Sequence, residues 1–102
     1  MTAKILVTGA TGYIGRALLE HLHGKGHDIL GAVRSAATTP GFVQAPNLSA
    51  QADWSEAFAG RDVVVHTAAR AHVLKETEIN PLAVFREFNT AGTLNLARQA
   101  AA

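Results

Sequence analysis

The chain has no cysteine among its 102 residues, which excludes disulfide scaffolds and thiolate metal sites. Excess charge is missing too: nine Lys and Arg stand against eight Asp and Glu, interspersed, for a net charge of +1. Nucleic acid and anionic membranes are bound by basic residues clustered on one face, so neither partner is expected. Long apolar runs are absent. Met1-Thr2-Ala3-Lys4 leads into only Ile5-Leu6-Val7, too short for a signal-peptide core or a membrane span, so a cytoplasmic address is expected. The only tyrosine is Tyr13.

Apolar residues are plentiful, at 48%, and a chain of this length buries roughly two-thirds of its unfolded surface as one domain at most. Lys4 to Thr8 (KILVT) is β-branched-rich, stops at Gly9, and reads as a buried parallel strand. From Tyr13 to His23 the period changes. Ile14, Leu18 and Leu22 fall at i, i+4 and i+8, with Ala17 beside them, predicting a helix with that apolar face. Gly24 and Gly26 end it. Asp28 to Val33 (DILGAV) is a second strand, and Phe42-Val43-Gln44 is a third, set among the breakers Pro40, Gly41 and Pro46. Asp53 caps a short helix, Trp54 to Ala59, anchored by Trp54 and Phe58. Asp62 to His66 (DVVVH) is the fourth strand. Pro81 fits the first turn of a helix running to the C-terminus, with Leu82, Phe85, Asn89, Gly92 and Leu96 along one stripe. This alternation predicts the α/β class, with four strands of a doubly wound parallel sheet in the order 3-2-1-4.

Thr8-Gly9-Ala10-Thr11-Gly12-Tyr13-Ile14-Gly15 lies between the first strand and the first helix, the context in which a glycine-rich turn holds a phosphate. Gly9 permits the sharp exit from the strand. Gly12 removes a side chain where backbone approaches phosphate, and Gly15 lets the helix pack on the sheet. A dinucleotide's pyrophosphate would meet unpaired N–H groups and the positive end of the helix dipole. Gly9, Ala10, Thr11, Gly12, Tyr13, Ile14 and Gly15 are therefore candidate cofactor contacts in a Rossmann-type βαβ unit. The spacing G-x-x-G-x-x-G is one residue longer at its first gap than the usual form. The competing reading is an incidental turn; the flanking strand, the helix and the N-terminal position all favour the cofactor. No Gly-Lys-Ser/Thr follows, which excludes the phosphate loop of NTPases.

The spacing and flanking residues resemble the extended short-chain dehydrogenase/reductase family, especially its nucleotide-sugar epimerases, dehydratases and reductases. Thr8 to Gly15 looks like that family's TGxxGxxG turn. His66-Thr67-Ala68-Ala69 is similar to its segment after the fourth strand, which lies against the cofactor, and Asn89-Thr90-Ala91-Gly92-Thr93 resembles its N-x-x-G-T helix motif. The resemblance adds Ala68, Ala69 and Asn89 to the candidate contacts. It implies that Asn89 bonds backbone near an active site.

Arg34 ends the second strand where an acidic residue would accept the ribose hydroxyls of NAD. A guanidinium suits a phosphate dianion, so NADP is expected over NAD; the other reading is a solvated surface arginine. Asn47-Leu48 falls where the family often has Asp-Leu against adenine. Asparagine keeps an acceptor oxygen, and an ordinary loop residue is the alternative. His66 ends a strand at the ligand edge of the sheet and reads as packing or cofactor contact, packing being favoured. Arg70, His72, Lys75 and Glu76 lie in a loop that borders a substrate or is merely solvated. His21 and His23 point to different sides of a helix and no metal site is expected of them.

By the same resemblance, catalysis in the family rests on a Tyr-x-x-x-Lys pair with a nearby Ser or Thr. Tyr13 sits inside the phosphate turn and is followed at the fourth position by Ala17, so no catalytic residue is assigned. The expectation is an incomplete sheet: residues 1–102 as the N-terminal part of a dinucleotide-binding domain, with catalytic and substrate regions lacking. An uncovered fourth strand would then favour a homo-oligomer joined at that edge. A non-catalytic dinucleotide-binding or sensing module is the alternative to the cofactor portion of an enzyme.

Overall fold

The computed structural model describes residues 3–34, 40–68, 82–83 and 86–102. In chain order the elements are β1 (Lys4–Thr8), α1 (Tyr13–Leu22), β2 (Asp28–Val33), β3 (Phe42–Gln44), α2 (Ser55–Phe58), β4 (Val63–His66) and α3 (Gly92–Ala101). A π-helical segment, Arg86–Ala91, leads into α3. The strands form one parallel sheet in the order β3-β2-β1-β4, as the alternation predicts. Among the described residues no helix is long and apolar enough to cross a membrane.

β1 is central, and its composition shows why. Successive strand residues point to opposite faces, yet Leu6 and Val7 are both fully buried, so both faces are covered. One face carries Leu6, Ala32 and, less buried, Leu30 and Val64; these pack with Leu48, Trp54, Ala57 and Leu96. The rings of Trp54 and Phe58 stack with centroids 5.5 Å apart, so α2 is anchored as expected. It is shorter than the sequence suggests, and its N-cap is Trp54, without a side-chain cap, rather than Asp53, which lies just before it and accepts the Ser55 N–H at 2.9 Å.

The other face of the sheet looks towards α1, and here the expected helix face needs correction. Ile14 is 68% exposed and Ala17 is exposed, whereas Gly15 is buried and Leu18, Leu19 and Leu22 are half-buried. Gly15 sets the rotation. It stands so close to the Gly9 carbonyl that a Cβ would overlap it, which turns position 15 inward and position 14 out. The packing stripe is thus i, i+3, i+4, i+7 from Gly15. The C-terminal helix is also less regular than its apolar stripe implies: Gly92 and Leu96 are buried, but Leu82 is exposed. Pro81 and Phe85 lie outside the described residues.

At the N-terminal edge of the sheet polar groups close the ladder. Asp62 accepts the Lys4 N–H at 3.0 Å and donates its own N–H to the Lys4 carbonyl at 2.7 Å. Arg61 bonds both carboxylate oxygens of Asp28 at 3.3 Å. His27 Nδ1 accepts the Ala3 N–H at 3.0 Å.

Candidate functional site

The glycine turn leaves β1 through Gly9, whose φ of +65° is open to glycine and strained for other residues. A side chain there would also strike Thr67 Oγ1 and the Ala68 backbone N. The Gly12 N–H donates to the Gly9 carbonyl at 3.0 Å, and the Arg16 N–H donates to the Gly12 carbonyl at 2.9 Å to begin α1. No side chain caps this helix and its first turn holds no acidic residue. The first N–H groups of a helix lack intrahelical partners and carry its positive end. Here they emerge beside exposed Thr11, Gly12, Tyr13 and Ile14, with Ala10 buried beneath. The turn therefore presents bare backbone donors and no negative charge. That is the donor set of an anion cradle.

Three further segments reach the same C-terminal edge of the sheet. Thr67 and Ala68 follow β4, and both their N–H groups donate to Thr8 Oγ1, at 3.0 and 3.3 Å. Thr67 Oγ1 in turn donates to the Thr8 carbonyl at 2.5 Å. Ala69, the next candidate contact, lies outside the described residues, as do Arg70, His72, Lys75 and Glu76. Arg34 follows β2; it is exposed, and its carbonyl accepts Gln44 Nε2 at 3.3 Å. Its guanidinium has no carboxylate partner among the described residues. Asn47, beyond β3, is exposed, whereas the Leu48 side chain is buried in the core. Leu48 packs on Gly92, where an added Cβ would come within 2.7 Å of its Cγ. Any ligand contact by Leu48 is thereby confined to its backbone. Asn89 is half-buried in the π-helical segment, a distortion found often at functional sites.

Two polar networks escaped the sequence reading. His66 stands opposite Thr8 in the β1–β4 register, with Nδ1 2.7 Å from Thr8 Oγ1 and Nε2 3.2 Å from Thr93 Oγ1. Thr8 Oγ1 already accepts two backbone N–H groups, so its own proton goes to Nδ1. His66 is then neutral with its proton on Nε2, donated to Thr93. Burial also pushes the His66 pKa below the ordinary histidine value.

The second network runs from the C-terminal helix to the loop beyond Leu48. Glu87 accepts the Ala50 N–H at 3.1 Å, Asn95 Nδ2 donates to the Ser49 and Ala52 carbonyls, and Gln99 bonds both Ala52 and Trp54. The i, i+4 spacing of Asn95 and Gln99, flanking the buried Leu96, is the one signal of it in the sequence.

The family model described as the NAD dependent epimerase/dehydratase family matches residues 5–102. A UDP-glucose 4-epimerase of Vibrio cholerae is 42% identical over 103 residues, covering 98% of this chain and 31% of that protein. A 3-diazoavenalumate denitrifying reductase of a Streptomyces species is 34% identical, covering 97% of this chain and 34% of that protein. The chain thus spans about a third of the length of the curated relatives it matches. Among solved structures, a uronate dehydrogenase variant of Agrobacterium tumefaciens complexed with NAD superposes with a TM-score of 0.72 at 28% identity, over 98% of this chain and 37% of that one. A nucleoside-diphosphate sugar epimerase of Corynebacterium glutamicum gives 0.70 at 29%, over 95% and 19%.

Proposed function

The chain belongs to the NAD dependent epimerase/dehydratase family, and from that premise we propose that it is the cofactor-holding portion of a nucleotide-sugar epimerase, dehydratase or reductase. The observation that carries this reading is the seating of Gly15 on the Gly9 carbonyl, which brings the uncapped start of α1 to the end of β1. Backbone donors of Tyr13, Ile14 and Gly15 would hold the diphosphate, with Gly12, whose own N–H goes to the Gly9 carbonyl, letting the backbone approach it and Ala10 and Thr11 shaping the turn. Arg34 would hold the 2′-phosphate, which favours NADP over NAD. Asn47 and the Leu48 backbone would border the adenine; Ala68, Ala69 and Asn89 would lie towards the nicotinamide. The dinucleotide, when bound, supplies hydride acceptance and return. The proton transfer that accompanies it calls for a Tyr-x-x-x-Lys pair, which is not among these 102 residues.

Support comes from two relatives. The Vibrio cholerae protein is a UDP-glucose 4-epimerase, and the Agrobacterium tumefaciens structure contains NAD. Calorimetric titration with NADPH and NADH tests the proposal. Saturable binding of one dinucleotide per chain, tighter for NADPH, is expected. No heat from either overturns it, and equal or tighter NADH binding overturns the choice of NADP.

A second reading is binding without turnover in a self-associated form. One observation favours it: among the described residues β4 pairs only with β1, and Val63 on it is exposed. Apolar strand edges recruit other chains. A scattering mass that stays at one chain from micromolar to millimolar concentration would exclude this form.

A further inference from the structure

We infer that His66, in its neutral form, is a positioning residue for the cofactor, holding the Thr67–Ala68 backbone against the glycine turn. The inference rests on the cofactor reading above and goes beyond it to a residue outside the turn. Thr8 is the hinge of the arrangement. Its hydroxyl, 1% exposed at residue level, takes the N–H groups of Thr67 and Ala68 and gives its single proton to His66 Nδ1. His66 Nε2 then reaches Thr93 on α3, the helix that continues from the segment bearing Asn89. One ring therefore ties together β1, β4 and α3 at the edge where the dinucleotide would lie. Thr67 Oγ1 sits within contact distance of the Gly9 and Gly15 positions, and the Ala68 N within contact distance of Gly9, so movement of this backbone is felt directly by the turn.

Protonation breaks the arrangement. A second ring proton makes Nδ1 a donor, and Thr8 Oγ1 would then face three donors with its own proton displaced. Thr8 of β1 and Thr93 of α3 meet the ring, and neither titrates. Among the described residues no carboxylate or cation pairs with His66, so nothing nearby compensates a positive charge. The Thr67–Ala68 backbone is released, and the turn loses the wall behind Gly9 and Gly15.

The test is the affinity of the 102-residue chain for NAD+ from pH 5 to 8, in the wild type, His66→Gln and His66→Phe. NAD+ is the probe because its diphosphate, unlike a terminal phosphate with a second pKa of about 6, does not titrate in that range. Wild-type affinity is expected to fall about three- to tenfold between pH 7 and pH 5. Glutamine keeps a donor and an acceptor but cannot be protonated there; His66→Gln should bind within about threefold of wild type at pH 7, with a flat profile. His66→Phe should bind about tenfold more weakly at pH 7 and also lose the pH dependence. A His66→Gln profile parallel to the wild type overturns the inference, as does His66→Phe binding like the wild type. If His66→Phe does not fold, the glutamine profile decides alone. Where the wild type binds NADP+ but not NAD+, the three proteins are compared with NADP+, whose own titration is common to all of them; failure to bind either dinucleotide at pH 7 overturns the cofactor reading itself, and this inference with it.

Discussion

Gln99 reaches back 45 residues to the Trp54 backbone, its Oε1 lying 2.7 Å from the amide nitrogen. The same side chain donates to the Ala52 carbonyl and to Asn95 Oδ1, each at 2.8 Å. A loop that would otherwise turn its polar backbone towards a buried tryptophan is thereby satisfied from the helix above it. Replacing Gln99 with leucine leaves the Trp54 N–H unpaired, while Ala52 keeps its bond from Asn95. Urea denaturation should show a loss of about 1–3 kcal/mol. Because Asn95 and Gln99 bond each other, Asn95→Ala combined with Gln99→Ala should cost less than the sum of the single changes.

Gly15→Ala should damage binding and fold together. The added methyl group would overlap the Gly9 carbonyl and lie 2.9 Å from Thr67 Oγ1, both parts of packed structure. Overpacking of this kind costs about 1–3 kcal/mol, and α1 can relieve it only by moving away from the turn. A lower melting temperature with no detectable dinucleotide binding is expected. Undiminished affinity for both NADPH and NADH would contradict the placing of the diphosphate on this turn.

Arg34 should decide between the two dinucleotides. Its guanidinium is exposed and has no carboxylate partner among the described residues, so the side chain is available to a phosphate dianion. Arg34→Glu replaces attraction by repulsion and should weaken NADPH binding by at least about tenfold. NADH, whose ribose hydroxyls can donate to a carboxylate, should hold its affinity or gain. Equal losses for both cofactors would place Arg34 away from the 2′ position.

Stability should fall with pH in two separate ranges. Burial holds His66 below its ordinary value of 6.5, so its contribution is complete above that value and is lost as the pH falls towards the folded pKa. Bonds from Arg61 hold Asp28, and bonds from Ser55 hold Asp53, below their ordinary value of 3.8. Those contributions are present above 3.8 and disappear as pH falls through the depressed values. Both carboxylates are exposed, so salt should weaken the lower step. The urea midpoint of the wild type should drop between pH 7 and 5 and again below pH 4. His66→Gln should abolish the first drop and keep the second.

The strands were legible because their apolar runs are continuous and each ends at a glycine, a proline or a polar turn. Lys4–Thr8 and Asp28–Val33 carry the same bounds in sequence and structure. The helix faces were harder to read. Ile14 looks like a core residue by period alone, and only the approach of Gly15 to Gly9, a contact between backbones, decides which way it turns. The distant partners of His66 and Gln99 were opaque for a related reason: Thr8 and Trp54 lie 58 and 45 residues away, and the i, i+4 spacing of Asn95 and Gln99 marks only their bond to each other. The glycine turn was legible because strand, turn and helix are contiguous. Its support from Thr67 and Ala68 is assembled across the sheet.

The central place of β1 has a consequence for how the chain is made. Its first partner, β2, follows within about thirty residues, but its second, β4, ends at His66. Closing so long a loop costs entropy before any contact repays it. A growing chain that has emerged only through β3 therefore carries β1 with one side open, Thr8 without His66 and Gly9 without Thr67. The glycine turn can form early, but the surface behind it arrives last.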